Sequence, residues 1–289
     1  MLDPGFDFRN VPLGRAQRDA ARTFTHSETP MLDARVLMKA ALQVDDAYLI
    51  YHENRLLTAE EAAHFAAYAS RRAAQEPVAH IIGAREFWGL SIAVEPGILV
   101  PRSDSETLIS VAIERRDKDK PYRILDLGTG SGCLLCAMLA SFQNATGLGV
   151  DINEKAALLA TRNLNSHSFD DRSAVMVGRW ATAIKGKFDI IVSNPPYIPL
   201  ADSEGLPKEV VSYEDPRALF SGDSGGDDYQ LILESLSSLL NIGGLVVMEV
   251  GDGHADGLQA MVEKLAMNGE VGLVNDLKGA PRAIFLDTK

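Results

Sequence analysis

The chain has 289 residues, enough for one large domain or two smaller ones, and its 46% hydrophobic and 24% charged content is ordinary for a soluble globular protein. The formal net charge of −12 argues against an electrostatic grip on a nucleic-acid backbone. The N-terminus lacks a basic stretch leading into an apolar core, and no apolar run reaches the ~18 residues of a membrane span, so a cytoplasmic protein with no signal peptide is expected.

Residues 12–76 read as helical. In "MLDARVLMKAALQ", Leu32, Val36, Leu37 and Ala40 recur at helical spacing. "TAEEAAHFAAYASRRAAQE" opens with Thr58 as N-cap and Glu61 three residues on, the pattern of a capping box, and its alanines favour helix strongly. Pro77 closes it. A small helical N-terminal domain over 1–83 follows. Residues 84–98 change texture: β-branched and aromatic residues broken by Gly and Pro predict a short β-hairpin linker.

The remainder, 99–289, is read as one α/β domain. From Tyr122 onward strands and helices alternate. "YRILDLG", "ATGLGVDI", "SAVMVG", "FDIIVSN" and "GGLVVMEVG" read as strands, with helical segments between most of them. Such alternation means a parallel sheet covered by helices on both faces. The last two strands, "EVGLVND" and "PRAIFLD", have only "LKGA" between them, too little for a crossover helix, so they should pair antiparallel. One segment breaks the pattern: Ile198 to Asp228, rich in Pro, Gly and acidic residues, reads as a long functional loop. Cys133 and Cys136 form a C-x-x-C spacing one helical turn apart. No second pair completes a zinc site, so a packing role in a reducing compartment is expected.

Three strand ends carry chemistry. The first ends in "DLGTGSG", whose Gly128, Gly130 and Gly132 let the backbone turn tightly and approach a ligand closely. The second ends in Asp151, about 20 residues further on, where a carboxylate can accept hydrogen bonds from ribose hydroxyls. A nucleoside-containing cofactor follows, a dinucleotide or S-adenosylmethionine. The absence of G-x-x-x-x-G-K speaks against a nucleoside triphosphate. The fourth strand ends in "SNPPY". Pro195 and Pro196 must stop it, which leaves Asn194 beside the crevice where open α/β sheets bind ligands.

Taken together, "LDLGTGSG", "GVDI" and "SNPPY" resemble the class I S-adenosylmethionine-dependent methyltransferases that modify planar nitrogen. More narrowly, "EPVAHIIGAREFWGL", "ILVPRSDSETLI" and "MEVG" resemble the protein-(glutamine-N5) methyltransferase family, in particular the release factor glutamine methyltransferases. The resemblance runs from about Pro30 to Leu286. It implies a class I methyltransferase-type doubly wound sheet of seven strands with the last antiparallel, in agreement with the terminal hairpin. It implies S-adenosylmethionine as cofactor, with Gly128, Thr129, Gly130, Ser131 and Gly132 lining its methionine and ribose portion. Asp151 would hold the ribose hydroxyls, Trp180 would lie beside the adenine, and Asn194 would contact the cofactor as well as the substrate. Two departures stand out. Arg179 occupies a position that is usually acidic in the family, and "PRSDSE" has Ser103 and Ser105 where the family favours "PRPDTE". Arg102 and Glu106 read as a salt-bridged helix start, and Glu249 as a structural hydrogen-bonding group.

The implied substrate is the glutamine in the Gly-Gly-Gln loop of class 1 peptide chain release factors, and the N-terminal domain is the candidate docking element. Asn194 and Pro195 would each accept one N–H of the amide, with Pro196 holding them rigid and Tyr197 packing on the amide face. A ribosomal-protein glutamine or, further off, a nucleic-acid adenine amine would suit the same tetrapeptide. No metal, membrane or direct nucleic-acid contact is expected, and no proton acceptor is assigned.

Overall fold

The computed structural model describes residues 5–206, 208–265 and 267–289. The chain divides into two compact units: Met1–Ala84 with Lys208–Tyr213, and Arg85–Pro207 with Glu214–Lys289. No helix among the described residues is long and apolar enough to cross a membrane.

The first unit is helical: α1 (Leu13–Ala21), α2 (Pro30–Leu42), α3 (Asp46–Tyr51), α4 (Ala59–Ala73) and α5 (Val78–Ile82). Its core is built from Leu13, Leu37, Met38 and Phe65, all fully buried. Each such side chain contributes about 1.5–3 kcal/mol relative to exposure. The capping box forms as expected. The Glu61 backbone N–H donates to Thr58 Oγ1 at 3.2 Å, and the Thr58 backbone N–H donates to Glu61 Oε2 at 2.8 Å. Two otherwise orphaned donors are thereby satisfied.

The second unit opens with a two-stranded hairpin, β1 (Ala84–Phe87) and β2 (Leu90–Ala93). Trp88 and Gly89 turn it with φ of 53° and 74°, the left-handed pair that a tight hairpin turn demands. Seven strands then form one sheet: β3 (Arg123–Leu127), β4 (Thr146–Asp151), β5 (Ser173–Val177), β6 (Phe188–Ser193), β7 (Leu240–Glu249), β8 (Gly269–Asn275) and β9 (Pro281–Thr288). Their order is β5-β4-β3-β6-β7-β9-β8. The pairings are parallel from β5 through β7, and β9 runs antiparallel to both β7 and β8. The short connection between β8 and β9 leaves no other choice.

Strand alternation sends successive side chains to opposite faces. Ile124, Ile190, Val192, Leu245 and Val247 enter one core with α6 (Glu106–Arg115) and α7 (Cys133–Ser141). Leu125, Leu127, Ile191, Val246 and Met248 enter the other with α10 (Asp227–Leu239) and α11 (Ala255–Glu263). The strands are apolar on both faces because both are covered. α8 (Glu154–Ser166) follows β4, and α6 precedes the alternation that starts at Tyr122. The segment from Ile198 to Asp228 is not a structureless loop. It contains turns of 3₁₀ helix at Leu200–Gly205 and Pro216–Ala218 and the short helix α9 (Lys208–Tyr213), and Ile198 bridges to Phe220. Local hydrogen bonds of this kind satisfy backbone groups that no sheet reaches.

Thr58→Ala should destabilise α4 by about 1 kcal/mol, since it leaves the N3 donor unpaired. Amide exchange in the first turns of α4 is then expected to accelerate roughly fivefold. Unchanged exchange there would show that the cap carries no weight.

Candidate active site

The sheet register sets the site. Leu127 pairs with Val150 on one side and Ser193 on the other, and Ser193 pairs with Met248. One residue further along, Asp151, Gly128, Asn194 and Glu249 therefore line up on four neighbouring strand ends. Asp151 pairs in turn with Val177, so Gly178, Arg179 and Trp180 continue the row. The chain leaves β3 towards β5 on one side and returns to β6 on the other. The crevice opens at this reversal, between β3 and β6.

A cleft lies along this edge, lined among others by Gly128, Gly130, Asp151, Trp180, Asn194 and Pro196. Gly128 and Gly130 have φ of 74° and 55°, which L side chains rarely adopt. A Cβ on Gly128 would sit 3.0 Å from the Trp180 ring, so the indole packs directly on the turn, while a Cβ on Gly130 would meet nothing. Trp180 Nε1–H donates to Asp228 Oδ1 at 2.9 Å, which fixes the ring edge. Arg179 also lines the cleft.

The other loop residues stand behind this surface. Thr129 and Ser131 are buried, and the Thr129 hydroxyl donates to Asp126 Oδ2 at 2.6 Å. Gly132 begins α7 with φ of 80°, and a Cβ there would lie 3.0 Å from Ala160, so its role is close packing of helix on helix. Pro195 is buried beside the cleft. Tyr197 packs its ring over Gly251 and donates its hydroxyl to Glu249 Oε1 at 3.3 Å. Burial and the neighbouring carboxylate push its phenol far up, so it remains a donor.

Asp151 is organised as an acceptor with capacity to spare. The Gly130 N–H donates to Oδ2 and the Asn153 N–H to Oδ1, both at 2.8 Å. A carboxylate offers about four lone-pair sites, so two remain for a pair of vicinal hydroxyls. Asn153 Nδ2 also donates to Asp215 Oδ2 at 2.9 Å, and Asp215 pairs with Arg217 at 2.7 Å. The Ile198–Asp228 segment is thereby fastened to the tip of β4, and Asp215, Arg217 and Phe220 complete the cleft wall.

Asp126 lies at the floor of the turn. It is wholly buried, and among the described residues its Oδ1 has no hydrogen-bond partner. Burial, with the charge of Asp151 adding to it, raises the Asp126 carboxyl to about 7. Asp126 braces the turn from behind through Thr129 and is not among the residues that line the cleft. These features fit a nucleoside cofactor such as S-adenosylmethionine: hydroxyl acceptors at Asp151, an aromatic wall at Trp180 and a backbone turn open at Gly130.

Sequence reasoning left two groups underused. Ser105, in a 3₁₀ turn before α6, is buried, and Asn194 Nδ2 donates to its Oγ at 3.1 Å. The Ser105 hydroxyl in turn donates to Glu249 Oε2. Glu249 is buried at the end of β7, and burial raises its carboxyl while Ser105, Arg282 and Tyr197 oppose that shift. The alternation in "VVMEV" already put Glu249 on the α6 face. The salt bridge expected at the start of α6 is different in kind. Arg102 pairs through both oxygens with Glu214 at 2.7 and 2.9 Å, and Glu106 Oε1 accepts the Trp88 backbone N–H at 2.9 Å. Both residues thus tie distant segments together instead of each other. Cys136 is buried and Cys133 half-buried. Burial pushes the Cys133 thiol up to about 12 and that of Cys136 higher still, which makes both unreactive. No cluster of metal-ligating side chains occurs among the described residues.

A parallel sheet with one antiparallel strand, a glycine turn at the switch point, an acidic second strand end and N-P-P-Y at the fourth define a class I methyltransferase. The fold is shared with the catalytic domain of hMettl16 solved with MAT2A 3′UTR hairpin 1, at a TM-score of 0.57 and 15% identity over 77% of this chain and 81% of that one. It is shared too with a methyltransferase from Pyrococcus furiosus, at 0.50 and 22% over 69% of this chain and 89% of that one. Residues 15–83 match the PrmC N-terminal domain, and residues 104–209 the methyltransferase small domain. The release factor glutamine methyltransferase of Bradyrhizobium diazoefficiens is 40% identical over 285 residues, 98% of this chain and 96% of the relative. That of Caulobacter vibrioides is 33% identical over 259 residues, 89% of each. The chain belongs to the release factor glutamine methyltransferase family.

The Asp126 environment carries a pH signature. Its folded pKa of about 7 lies above the ordinary 3.8, so the unfolded chain releases this proton first. Its contribution to stability is lost as pH rises from 3.8 towards 7 and then levels off. Asp126→Asn removes the titration. The difference in thermal midpoint, variant minus wild type, should therefore be more positive at pH 8 than at pH 5. Parallel melts that show an equal difference at both values would refute the assignment.

Proposed function

We propose that this protein methylates the side-chain amide nitrogen of the glutamine in the Gly-Gly-Gln loop of class 1 peptide chain release factors, acting in the cytoplasm. Membership of the family supports the substrate, and the placement of Asn194 at the sheet reversal supports the chemistry. Asp151, Trp180, Gly128 and Gly130 would hold S-adenosylmethionine, which supplies an activated methyl group on a sulfonium.

The chain's own residues solve the harder half of the problem. An amide nitrogen is a poor nucleophile because its lone pair is delocalised, as the ~18–20 kcal/mol rotation barrier of a peptide bond attests. Asn194 Oδ1 and the Pro195 carbonyl would each accept one N–H of the substrate amide. With both hydrogens held, the lone pair is aimed along a single line. Positive charge gathering on the nitrogen turns both contacts into charge-assisted hydrogen bonds, so they strengthen in the transition state more than in the ground state. Pro195 and Pro196 restrict the backbone that carries the acceptors, which keeps orientation costs low. Tyr197 would border the amide face. The helical N-terminal unit would dock the protein substrate, since none of the cleft residues belongs to it.

Incubation with a class 1 release factor and labelled cofactor should add one methyl group to that glutamine, read by mass spectrometry of the loop peptide. Absence of the modification, or its transfer instead to a ribosomal protein offered in competition, would overturn the substrate reading. Asn194→Ala should lower kcat by roughly 100- to 1000-fold, the loss typical of one electrostatic contact at a reacting centre. Cofactor affinity measured by calorimetry should stay close to wild type. An active Asn194→Ala protein would dismiss the mechanism.

A further inference from the structure

An asparagine can present either end of its amide to a substrate. The proposed chemistry needs the oxygen, because the incoming amide offers hydrogens. Nothing in the N-P-P-Y tetrapeptide makes that choice. We propose that Ser105 and Glu249 make it, as positioning residues that lock the Asn194 side chain with its oxygen towards the cleft. The assignment rests on the reading of Asn194 as an amide acceptor.

Hydrogen-bond direction makes the choice. Glu249 is 2% exposed, and a hydroxyl stands at each of its two oxygens, Ser105 at Oε2 and Tyr197 at Oε1. As a carboxylate it accepts from both. The Ser105 hydroxyl must then spend its single hydrogen on Glu249 Oε2, and the Tyr197 hydroxyl its own on Oε1. With its hydrogen spent, Ser105 Oγ can only accept from Asn194, so Nδ2 faces it at 3.1 Å and Oδ1 is turned away. The direction propagates one way, from carboxylate to hydroxyl to amide. A flipped Asn194 would set Oδ1 against an oxygen with no hydrogen to give, an uncompensated buried contact.

Two further observations fit this chain of bonds. Ser105 joins the 3₁₀ turn to α6 in helical conformation and makes no cap hydrogen bond, which leaves its hydroxyl to Glu249 and Asn194. Glu249 and Asn194 also follow paired residues on adjacent strands, Met248 and Ser193, so the sheet register holds the two ends of the chain in place before any side chain moves.

The inference is tested with Ser105→Ala and Ser105→Thr. Ser105→Ala removes the link and should lower kcat roughly 10- to 100-fold, the order expected for a misoriented reacting contact. The affinity for S-adenosylmethionine should stay within about twofold, because the substrate amide is what reads the end that Asn194 presents. Ser105→Thr keeps the hydroxyl and should restore most of kcat. An unchanged kcat in Ser105→Ala, an equal loss in both variants, or a loss accompanied by weaker cofactor binding would each overturn the proposal.

A readout independent of turnover separates this from the substrate reading. In nitrogen-labelled protein, the Asn194 side-chain NH2 pair, identified by its disappearance in Asn194→Asp, should exchange slowly with solvent. It should exchange at least tenfold faster in Ser105→Ala and remain slow in Ser105→Thr. Equal exchange in wild type and Ser105→Ala would reject the lock even if the release factor is methylated. Slow exchange lost only in Ser105→Ala would support the lock even if wild type left the release factor unmodified, a result that would fault the substrate instead.

Discussion

The register of the parallel strands is the constraint on which everything else depends. Pairing Leu127 with Val150 and Ser193, and Ser193 with Met248, brings the ends of β4, β3, β6 and β7 level. A slip of one residue would turn every side chain to the opposite face and bury the wrong set. Because both faces of the sheet are covered by helices, such a slip would force Glu249 into the apolar core shared with α10 and α11. The register is therefore enforced by packing, and the site inherits its precision from the sheet rather than from its loops.

Placed on that edge, each part of the site does a separate task. The glycine turn opens its backbone to the cleft at Gly130, and Trp180 packs on it at Gly128. Asp151 retains acceptor capacity after satisfying two backbone N–H groups. Asp126 lies buried below the turn, where burial raises its carboxyl, and that is the kind of local expense that functional sites show. The Ile198–Asp228 segment is held by side-chain anchors at Arg102–Glu214 and Asn153–Asp215. Those anchors turn a long connection into a wall of the cleft.

Much of this was legible in the sequence. Apolar runs bounded by Gly and Pro gave the strands, and the glycine turn, Asp151 and Asn194 each stood at a strand end. The missing crossover between β8 and β9 gave the antiparallel strand. Less legible were contacts between residues far apart in the chain. Arg102 reads as a local ion pair with Glu106, but Glu214 holds it, because only folding brings that carboxylate near. Thr129 and Ser131 read as part of a ligand-lining loop, whereas the turn points them inward, and Thr129 supports Asp126.

The sequence by itself determined the kind of strand ends, the glycine turn, the proline elbow after Asn194 and the terminal hairpin, since these follow from local conformational preference and spacing. Only the tertiary structure decided which way the Asn194 amide faces. That depends on a hydroxyl from the segment before α6 and a carboxylate from β7, and the direction of a hydrogen bond is set by partners that meet only when the sheet closes.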